Sequence, residues 1–378
     1  MKKLFMTASL IIMLFSLTGC ETVTTSIDKY YYIIGLGIDE GDNNLLKISV
    51  QIAHSTSSDS SSTSQSTSAK IYSVEGETID SCFTILNNYL NKQLNLSHCS
   101  ALILSEKIAR SDIEPIFSTL GNDTDLRGTC NVIVSSTTAY ELLEKVSNSG
   151  EGFSSRLYDY LVNSSDYTGF STNSEFSDIY MNMKDEYSQV STIYTSIIEN
   201  TVQNTGVAVF KNNRMVGSIN VLDTISHLLV TSDLKSCILT FDSPFKSDEY
   251  IDMEITKLYK KTKTNISLIN NSPFIEIDIY PKCYISSSGK NYDYTKEEDI
   301  TKLEKSTDKY IQGIVTNYLY TITKEYDSDI TGFGKKFTAN FLTLDDFKKI
   351  KWNDIFVNTF YKVNVHTKIT SSKLFNKQ

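Results

Sequence analysis

The sequence lacks the residue patterns that most often carry catalysis or bind metal ions. It contains no Cys-x-x-Cys pair and no Gly-x-Ser-x-Gly nucleophile elbow, and its four histidines stand far apart. The first absence argues against a zinc site, the second against that type of hydrolase, and the third against a histidine-based metal centre. We therefore expect no enzymatic activity, no metal and no cofactor.

Long basic runs are also absent, and the 378 residues carry a formal net charge of −9 at pH 7. This acidity argues against nucleic acid as a partner. The charge is uneven, because nine lysines face three aspartates between Lys335 and Gln378, a net of +6. Such a basic end would suit anionic lipid headgroups or an acidic partner, although a solvated face is the simpler interpretation.

An apolar run near the N-terminus is too short to cross a membrane. Lys2 and Lys3 precede an almost wholly apolar stretch from Leu4 to Leu17, which is the layout of an export signal. A spanning helix needs about 20 apolar residues, and this run has about fourteen. We therefore predict a signal peptide at residues 1–19.

The run ends in a lipobox pattern, Leu17, Thr18, Gly19 and Cys20. Small residues at Thr18 and Gly19 let a signal peptidase close on the backbone, and we predict that Cys20 carries a diacylglycerol. Two acyl chains give stable anchoring, whereas one chain gives marginal binding. The alternative is an ordinary secretory signal with an accidental cysteine.

Five further cysteines remain, and an odd number cannot be fully paired. They stand far apart, mostly within apolar segments, at Cys82, Cys99, Cys130, Cys237 and Cys283. We interpret them as small buried hydrophobes rather than as a dense disulfide framework.

Hydrophobic periodicity predicts alternating strands and helices in a first region, residues 20–205. The predicted strands lie at 30–39, 46–52, 71–74, 101–104 and 131–134, and the predicted helices at 77–94 and 140–146. Residues 55–68 are almost entirely serine and threonine and predict a mobile loop. A polar stretch from 150 to 201 is interpreted as a connecting subregion. The alternation indicates an α/β or α+β region of one or two subdomains.

The residue pattern of a second region, residues 206–378, predicts an α+β domain. It opens with a hairpin around Asn212-Asn213, followed by alternating strands near 251–255 and 275–279 with a turn at 270–273. A long amphipathic helix follows, with a capping box formed by Thr295 and Glu298. Its apolar stripe comprises Ile300, Leu303, Ile311, Ile314, Tyr318 and Ile322. The whole chain is thus predicted as a multi-domain α+β protein with mixed or antiparallel sheets and packed helices.

Two glycine motifs resemble phosphate-binding loops but fail in context. Gly35-x-Gly37 follows a strand, but Glu40 stands at the third glycine position and a second strand follows. A close backbone approach is the simpler use of these glycines. The Gly332 to Lys335 segment lacks the spacing of a phosphate loop, and we interpret it as a hinge between helices.

Ser97, His98 and Cys99 form the most suggestive catalytic cluster. If they lie on a strand, His98 and Cys99 point to opposite faces and cannot act on one substrate atom. A buried or turn-anchoring histidine is therefore the preferred interpretation. Trp352, in the second region, is interpreted as a core anchor rather than a ligand platform.

An ordered set of segments behind the lipobox resembles the Ger(x)C family, the lipoprotein C subunits of nutrient germinant receptors in spore-forming bacteria. The matching segments are Gly35 to Asp39, Asn95 to Glu106, Gly206 to Lys211, Met215 to Gly217, and Asp329 to Gly334 followed by Trp352. Two positions depart from the family pattern. Glu21 and Thr22 follow the cysteine where Trp-Asp is usual, and Asp223 stands where glutamate is usual.

The resemblance implies a non-enzymatic subunit tethered to the outer face of the spore inner membrane. It implies two partners, a polytopic A subunit and an integral-membrane B subunit, and a fold of several α+β domains. The alternative hypothesis is a substrate-binding lipoprotein that captures a small nutrient and delivers it to a membrane transporter or receptor. A surface enzyme is a third possibility without a supporting motif.

Overall fold

The computed structural model describes residues 29–54, 68–123, 125–148, 161, 165–287 and 296–370. The lipobox and most of the serine-rich segment at 55–68 lie outside these ranges. The α+β class predicted from the sequence is confirmed, with one large sheet, two smaller sheets and helices packed on them.

The first region is built on a nine-stranded mixed sheet. In chain order its strands are β1 (Tyr30–Glu40), β2 (Leu46–His54), β3 (Ser68–Gly76), β4 (Gln93–Asn95), β5 (Ala101–Ser105), β6 (Asn131–Ser135), β7 (Ser191–Ile198), β8 (Thr201–Lys211) and β9 (Arg214–Ile219). They are arranged as β3-β2-β1-β5-β6-β7-β8-β9, with β4 also paired to β1. The central strands β1, β5, β6 and β7 run parallel, and the outer strands pair antiparallel.

Helices cover both faces of this sheet. They are α1 (Ile79–Tyr89), α2 (Glu106–Ala109), α3 (Glu114–Gly121), α4 (Ala139–Asn148), α5 (Ser165–Thr168) and α6 (Phe176–Met183). All five residues of β5 are buried, with Leu102 and Leu104 in one core and Ala101 and Ile103 in another. Covered strands of this kind read as continuous apolar runs, as this one does.

Two predictions in the first region need correction. The helix predicted at 77–94 ends at Tyr89, because β4 leaves it to pair with β1. The stretch interpreted as a connecting subregion contains a strand of the sheet, β7. Its buried Thr192 and Thr195 donate hydrogen bonds to backbone oxygens of β6. Because these polar residues occupy core positions, the hydrophobicity pattern of the sequence does not indicate a strand here.

The second region contains two smaller sheets. Their strands are β10 (Cys237–Asp242), β11 (Tyr250–Leu258), β12 (Lys263–Ile269), β13 (Ser272–Ile279), β14 (Pro281–Ser287), β15 (Phe360–Val365) and β16 (Lys368–Ile369). One sheet has the order β10-β11-β14-β16 and the other β12-β13-β15. Both are mixed rather than purely antiparallel, because β15 and β16 join parallel to β13 and β14. The turn at Asn270 and Asn271 connects β12 to β13.

The helices of this region are α7 (Val221–Thr231), α8 (Glu297–Tyr320), α9 (Phe333–Thr338), α10 (Leu344–Lys348) and α11 (Trp352–Ile355). Helix α8 has 24 residues and buries the predicted stripe from Leu303 to Tyr318. Its N-cap is Lys296, whose side chain makes no capping hydrogen bond. The predicted partner in a capping box, Thr295, lies outside the described residues.

The hairpin formed by β8 and β9 is shared between the two regions. Ala208 and Phe210 belong to a core of the first region, whereas Val207 and Val209 belong to the core of the second. Side chains alternate faces along a strand, so one strand contributes to both cores. The proposed domain boundary between residues 205 and 206 therefore falls within a continuous strand.

Candidate functional site

The predicted lipid-attachment residue Cys20 and its lipobox, Leu17 to Gly19, lie outside the described residues. Nine residues separate Cys20 from Tyr30, where β1 begins. A fully extended segment of this length spans at most about 35 Å. Attachment at Cys20 remains a prediction, and it would keep the start of β1 within that distance of a membrane surface.

The Gly35 to Asp39 motif holds helix α4 against the sheet. A Cβ atom on Gly37 would lie 2.9 Å from Cδ1 of Leu143, so glycine permits the close approach. The buried carboxylate of Asp39 accepts hydrogen bonds from the backbone N–H groups of Ala139 at 2.7 Å and Tyr140 at 2.9 Å. Both N–H groups lie at the start of α4, where a helix provides no backbone acceptor for them. The close neighbours of Gly37 are the side chains of Leu143 and Ala139, so the predicted close approach of another backbone stays a prediction.

The electrostatics of Asp39 reflect two opposing effects. Burial raises the pKa of this carboxyl group, and the hydrogen bonds from Ala139 and Tyr140 partly offset that rise. The arrangement is that of a helix cap in a closed core rather than of an acid exposed to substrate.

The Asp329 to Gly334 motif forms a fixed turn. One oxygen of Asp329 accepts hydrogen bonds from Thr331 Oγ1 at 2.8 Å and Phe333 N at 3.0 Å. The other accepts from Gly334 N at 2.7 Å and from Trp352 Nε1 at 3.0 Å. Asp329 is only 3% exposed, and all four hydrogen bonds to its carboxylate are buried. The segment lies between two helices, as predicted, and its use as a hinge stays a prediction.

Glycine is favoured at two positions of this segment for different reasons. Gly332 has φ 65°, a left-handed conformation that favours glycine. A Cβ atom on Gly334 would lie 2.6 Å from the indole ring of Trp352. Trp352 is buried, as predicted, and packs against Phe337 and Phe356.

The remaining motif residues lie at the junction between the shared hairpin and the second region. A Cβ atom on Gly217 would overlap the ring of Tyr326, whose hydroxyl donates to Ser218 O at 2.8 Å. Lys211 pairs with Asp327, and Ser328 donates to the backbone oxygen of Phe210. The hairpin and the segment before α9 are thus joined by packing, hydrogen bonds and an ion pair.

The suggestive cluster at Ser97 to Cys99 lies in a turn rather than on a strand. His98 is exposed and stacks on Tyr32 with ring centroids 4.5 Å apart, whereas Cys99 is buried. Asn95 Oδ1 accepts a hydrogen bond from Ser97 N at 2.9 Å and fixes the turn. The geometry gives a turn-anchoring histidine and no nucleophile–base pair.

Two other histidines have separate structural partners. His227 is buried and its Nδ1 lies 2.7 Å from the Tyr318 hydroxyl, while burial lowers its pKa to about 4. His366 lies 3.2 Å from Asp278 near the surface. In the ranges that the structure describes, no three His, Cys, Asp or Glu side chains come together as a metal site.

The basic C-terminal segment is partly neutralised by carboxylates. Lys335 pairs with Asp185, Lys349 with Asp346, and Lys362 with Glu276. These exposed pairs contribute little to stability, but they lower the local positive charge. They favour the interpretation of a solvated face over that of a lipid-binding patch.

A polar cavity of about 310 Å³ opens beside the junction. Its lining includes the amide side chains of Asn182, Gln189, Asn212, Asn213 and Asn353. Gln189 Oε1 already accepts from Asn212 N at 2.8 Å, and Asn353 Nδ2 donates to Glu186 O at 3.1 Å. These contacts hold the wall of the cavity together across the junction.

Two families of spore germination domains match consecutive parts of the chain. The spore germination protein N-terminal domain matches residues 24–198, and the spore germination B3/GerAC-like C-terminal domain matches residues 205–373. The chain belongs to the Ger(x)C family. Ger(x)C proteins are the C subunits of germinant receptors in spore germination, and the resemblance inferred from the motifs is confirmed.

A Ger(x)C relative and a solved structure extend this likeness. The chain is 23% identical over 306 residues to the spore germination protein GerQC of Bacillus cereus, covering 80% of this chain and 82% of that protein. The crystal structure of the GerBC protein matches with a TM-score of 0.60 at 17% identity, covering 89% of this chain and 96% of that one. The structural likeness confirms the fold.

No helix among the described residues of this Ger(x)C protein is long and apolar enough to cross a membrane. The motif glycines and aspartates stand out in the sequence, but their contacts with Tyr326, Ala139 and Tyr140 do not. No local signal could have found these contacts, because each partner lies about 100 residues away.

Proposed function

We propose that this chain is the lipid-anchored C subunit of a nutrient germinant receptor and is needed for assembly and function of that receptor. The observation that carries the proposal is a lipobox ending at Cys20, placed directly before two consecutive matches to spore germination domains. The proposed location is the outer face of the spore inner membrane. The proposed partners are a polytopic A subunit and an integral-membrane B subunit.

A non-enzymatic role agrees with the way that the motif residues are used. Both carboxylate oxygens of Asp39 and of Asp329 accept internal hydrogen bonds, and His227 is buried against Tyr318. Residues engaged in this way position backbone and helices instead of meeting a substrate. We infer that the chain presents folded surfaces to its membrane partners.

Anchoring would contribute to assembly by raising the effective concentration of the subunit beside its partners. A tethered domain meets a neighbouring protein as if at millimolar concentration, so contacts too weak for free solution suffice. In the proposed mature chain, the lipid on Cys20 would tether both the first region, residues 20–205, and the second region, residues 206–378.

The test replaces the lipid-attachment residue in spores. In Cys20→Ala we expect loss of the lipid on the N-terminal peptide, release of the protein from the membrane fraction and impaired germination. Thr22→Ala, two residues downstream, is the matched control and should retain all three properties. A Cys20→Ala protein that stays in the membrane fraction and supports normal germination would contradict the proposal.

Co-purification after detergent extraction tests the proposed partners. The intact protein should bring two integral-membrane proteins with it, and the Cys20→Ala protein should bring less of both. Recovery of the lipidated protein alone, at equal yield and after crosslinking in spores, would count against a receptor complex.

The polar cavity favours testing a second function, capture of a small nutrient for a transporter or receptor. Ligand pockets often lie at domain interfaces, where a few placed polar groups orient the ligand. Calorimetry against amino acids, sugars and nucleosides separates the two functions. Tight one-to-one binding that is lost in Asn213→Ala would support the delivery function, and absence of binding supports the assembly role.

A further inference from the structure

Two of the described cysteines lie in contact in the core of the first region. Sγ of Cys130 lies 3.9 Å from Sγ of Cys99, and the residues are only 1% and 4% exposed. Both are free thiols in this structure. One pair is therefore possible among the five cysteines, which, being odd in number, cannot all be paired.

The three other described cysteines are placed differently. Cys82 lies with its sulfur 3.8 Å from the backbone oxygen of Leu46. Cys237 and Cys283 stand on two strands that flank Ile255 of β11, so a whole strand separates them. Two strand spacings amount to about 10 Å, which is beyond the reach of a disulfide.

The backbone holds Cys99 and Cys130 at a distance suited to a covalent bond. They precede the neighbouring parallel strands β5 and β6, and Asn131 N donates to Ser100 O at 2.9 Å. Because Ala101 pairs with Asn131, Cys99 lies one residue away from the position opposite Cys130. A strand spacing of about 4.8 Å and a rise of about 3.3 Å per residue place such diagonal Cα atoms roughly 6 Å apart, within the range of roughly 4.4–6.8 Å that a disulfide requires. To form the bond, the sulfurs must close from 3.9 Å to about 2.05 Å.

We propose that Cys99 and Cys130 form a disulfide bond in the exported protein. The proposal rests on the export step of the proposed function, because disulfides persist outside the reducing cytoplasm. Each thiol loses one hydrogen and the two sulfurs share the new bond. The disulfide of an extracytoplasmic thiol oxidant is reduced to two thiols in the same exchange.

The bond forms before the core closes. In the folded chain, the hydrogen bond to Cys99 and burial both raise the pKa of Cys130, so its reactive thiolate is scarce. In a partly folded chain, both thiols are accessible to an oxidant. Burial then protects the completed bond from reduction.

The bond would close the loop that makes a contact with the shared hairpin. It closes a loop from Cys99 to Cys130 that contains β5, α2 and α3. Within this loop, Ile113 N donates to Asn213 O at 3.2 Å at the hairpin turn. Restricting this loop in the unfolded chain stabilises the folded one.

Peptide mapping of the unaltered protein tests the proposal directly. The full chain is extracted from membranes with free thiols alkylated, then digested without reductant. We expect a linked peptide containing Cys99 and Cys130, two hydrogens lighter than its separate parts, with Cys82, Cys237 and Cys283 alkylated. Alkylated Cys99 and Cys130 in a membrane-bound, lipidated protein would overturn the disulfide and leave the proposed function intact.

Refolding of the full chain in a glutathione redox buffer separates the disulfide from the export step. The linked peptide should form there even if fractionation shows that the protein is not exported. Refolded chains that retain two alkylatable thiols at Cys99 and Cys130 would overturn the proposal whatever the location of the protein.

Urea unfolding with and without reductant provides a variant-based readout. The unfolding midpoint of the unaltered chain should fall on addition of reductant. Cys99→Ser should lose this sensitivity to reductant, and the matched control Cys82→Ser should keep it. Equal midpoints of the unaltered chain in both buffers would contradict a stabilising disulfide.

Discussion

The two regions of this Ger(x)C protein each contain a buried aspartate that fixes the backbone, and they use it differently. Asp39 lies at the end of a strand and caps one helix through Ala139 and Tyr140. Asp329 lies in a turn and accepts hydrogen bonds from two backbone groups, one hydroxyl and one indole. The first joins a helix to a sheet that neighbouring strands already hold, whereas the second organises a turn without regular structure.

This difference predicts unequal sensitivity of the two regions. The large sheet gives Asp39 many neighbouring contacts that persist without its side chain. The turn before α9 has no strand ladder of its own, so its order depends on Asp329. Trp352 is the only tryptophan of the chain, and its fluorescence reports the second region, while far-UV circular dichroism reports both.

The largest effect is expected for Asp329→Ala. Loss of this carboxylate leaves four buried donors without an acceptor, and we expect destabilisation by about 3–5 kcal/mol. In urea, the fluorescence transition of Trp352 should move to lower concentration and separate from the dichroism transition. The exposed Asp345→Ala is the matched control, with an effect within about 0.5 kcal/mol. Coincident, unshifted transitions in Asp329→Ala would show that the turn does not depend on this residue.

Acid should weaken the second region through His227. The pKa of His227 is about 4 in the folded protein, below its ordinary value of 6.5, because it is buried. Its contribution is therefore complete above pH 6.5 and is lost as the pH falls toward 4, by roughly 3 kcal/mol. Urea midpoints from Trp352 fluorescence between pH 7 and pH 4 measure this loss. In His227→Asn the acid dependence should be smaller, and an unchanged dependence would assign it to other groups.

Two helical glycines in the second region provide a matched pair. In Gly334→Ala the new methyl group meets the Trp352 ring at 2.6 Å and Tyr187 O at 2.8 Å, and overpacking should cost about 1–3 kcal/mol. In Gly313→Ala the methyl group meets nothing within 4 Å, and the better helix former should stabilise by up to about 1 kcal/mol. Thermal unfolding measures both, and equal shifts in one direction would contradict the packing argument.

The smallest loss is expected for Asp39→Ala. Removing the cap of α4 should cost about 1–2 kcal/mol, because two backbone donors lose their acceptor while the sheet remains. The dichroism transition should shift more than the Trp352 transition. The exposed Asp42→Ala serves as the control. If Asp39→Ala lowered the free energy of unfolding as much as Asp329→Ala, the two aspartates would be equally important for stability.

Much of the fold could be predicted from sequence periodicity alone. Strand β5 reads as a continuous apolar run because both of its faces are covered, and β13 alternates because one face is solvated. Strand β7 was not predicted, because Thr192 and Thr195 fill core positions and their hydroxyl groups donate hydrogen bonds to β6. Periodicity measures hydrophobicity, and it misses polar residues that are buried with partners.

The sequence by itself determined the family, the α+β class and the predicted anchor at Cys20, because these depend on local order along the chain. Only the tertiary structure decided that β8 serves two cores, that Asp329 fixes a turn with Trp352, and that Cys99 meets Cys130. Each of these contacts joins residues or segments separated by 20 residues or more. Such contacts follow from strand order and sheet register, which no local pattern specifies.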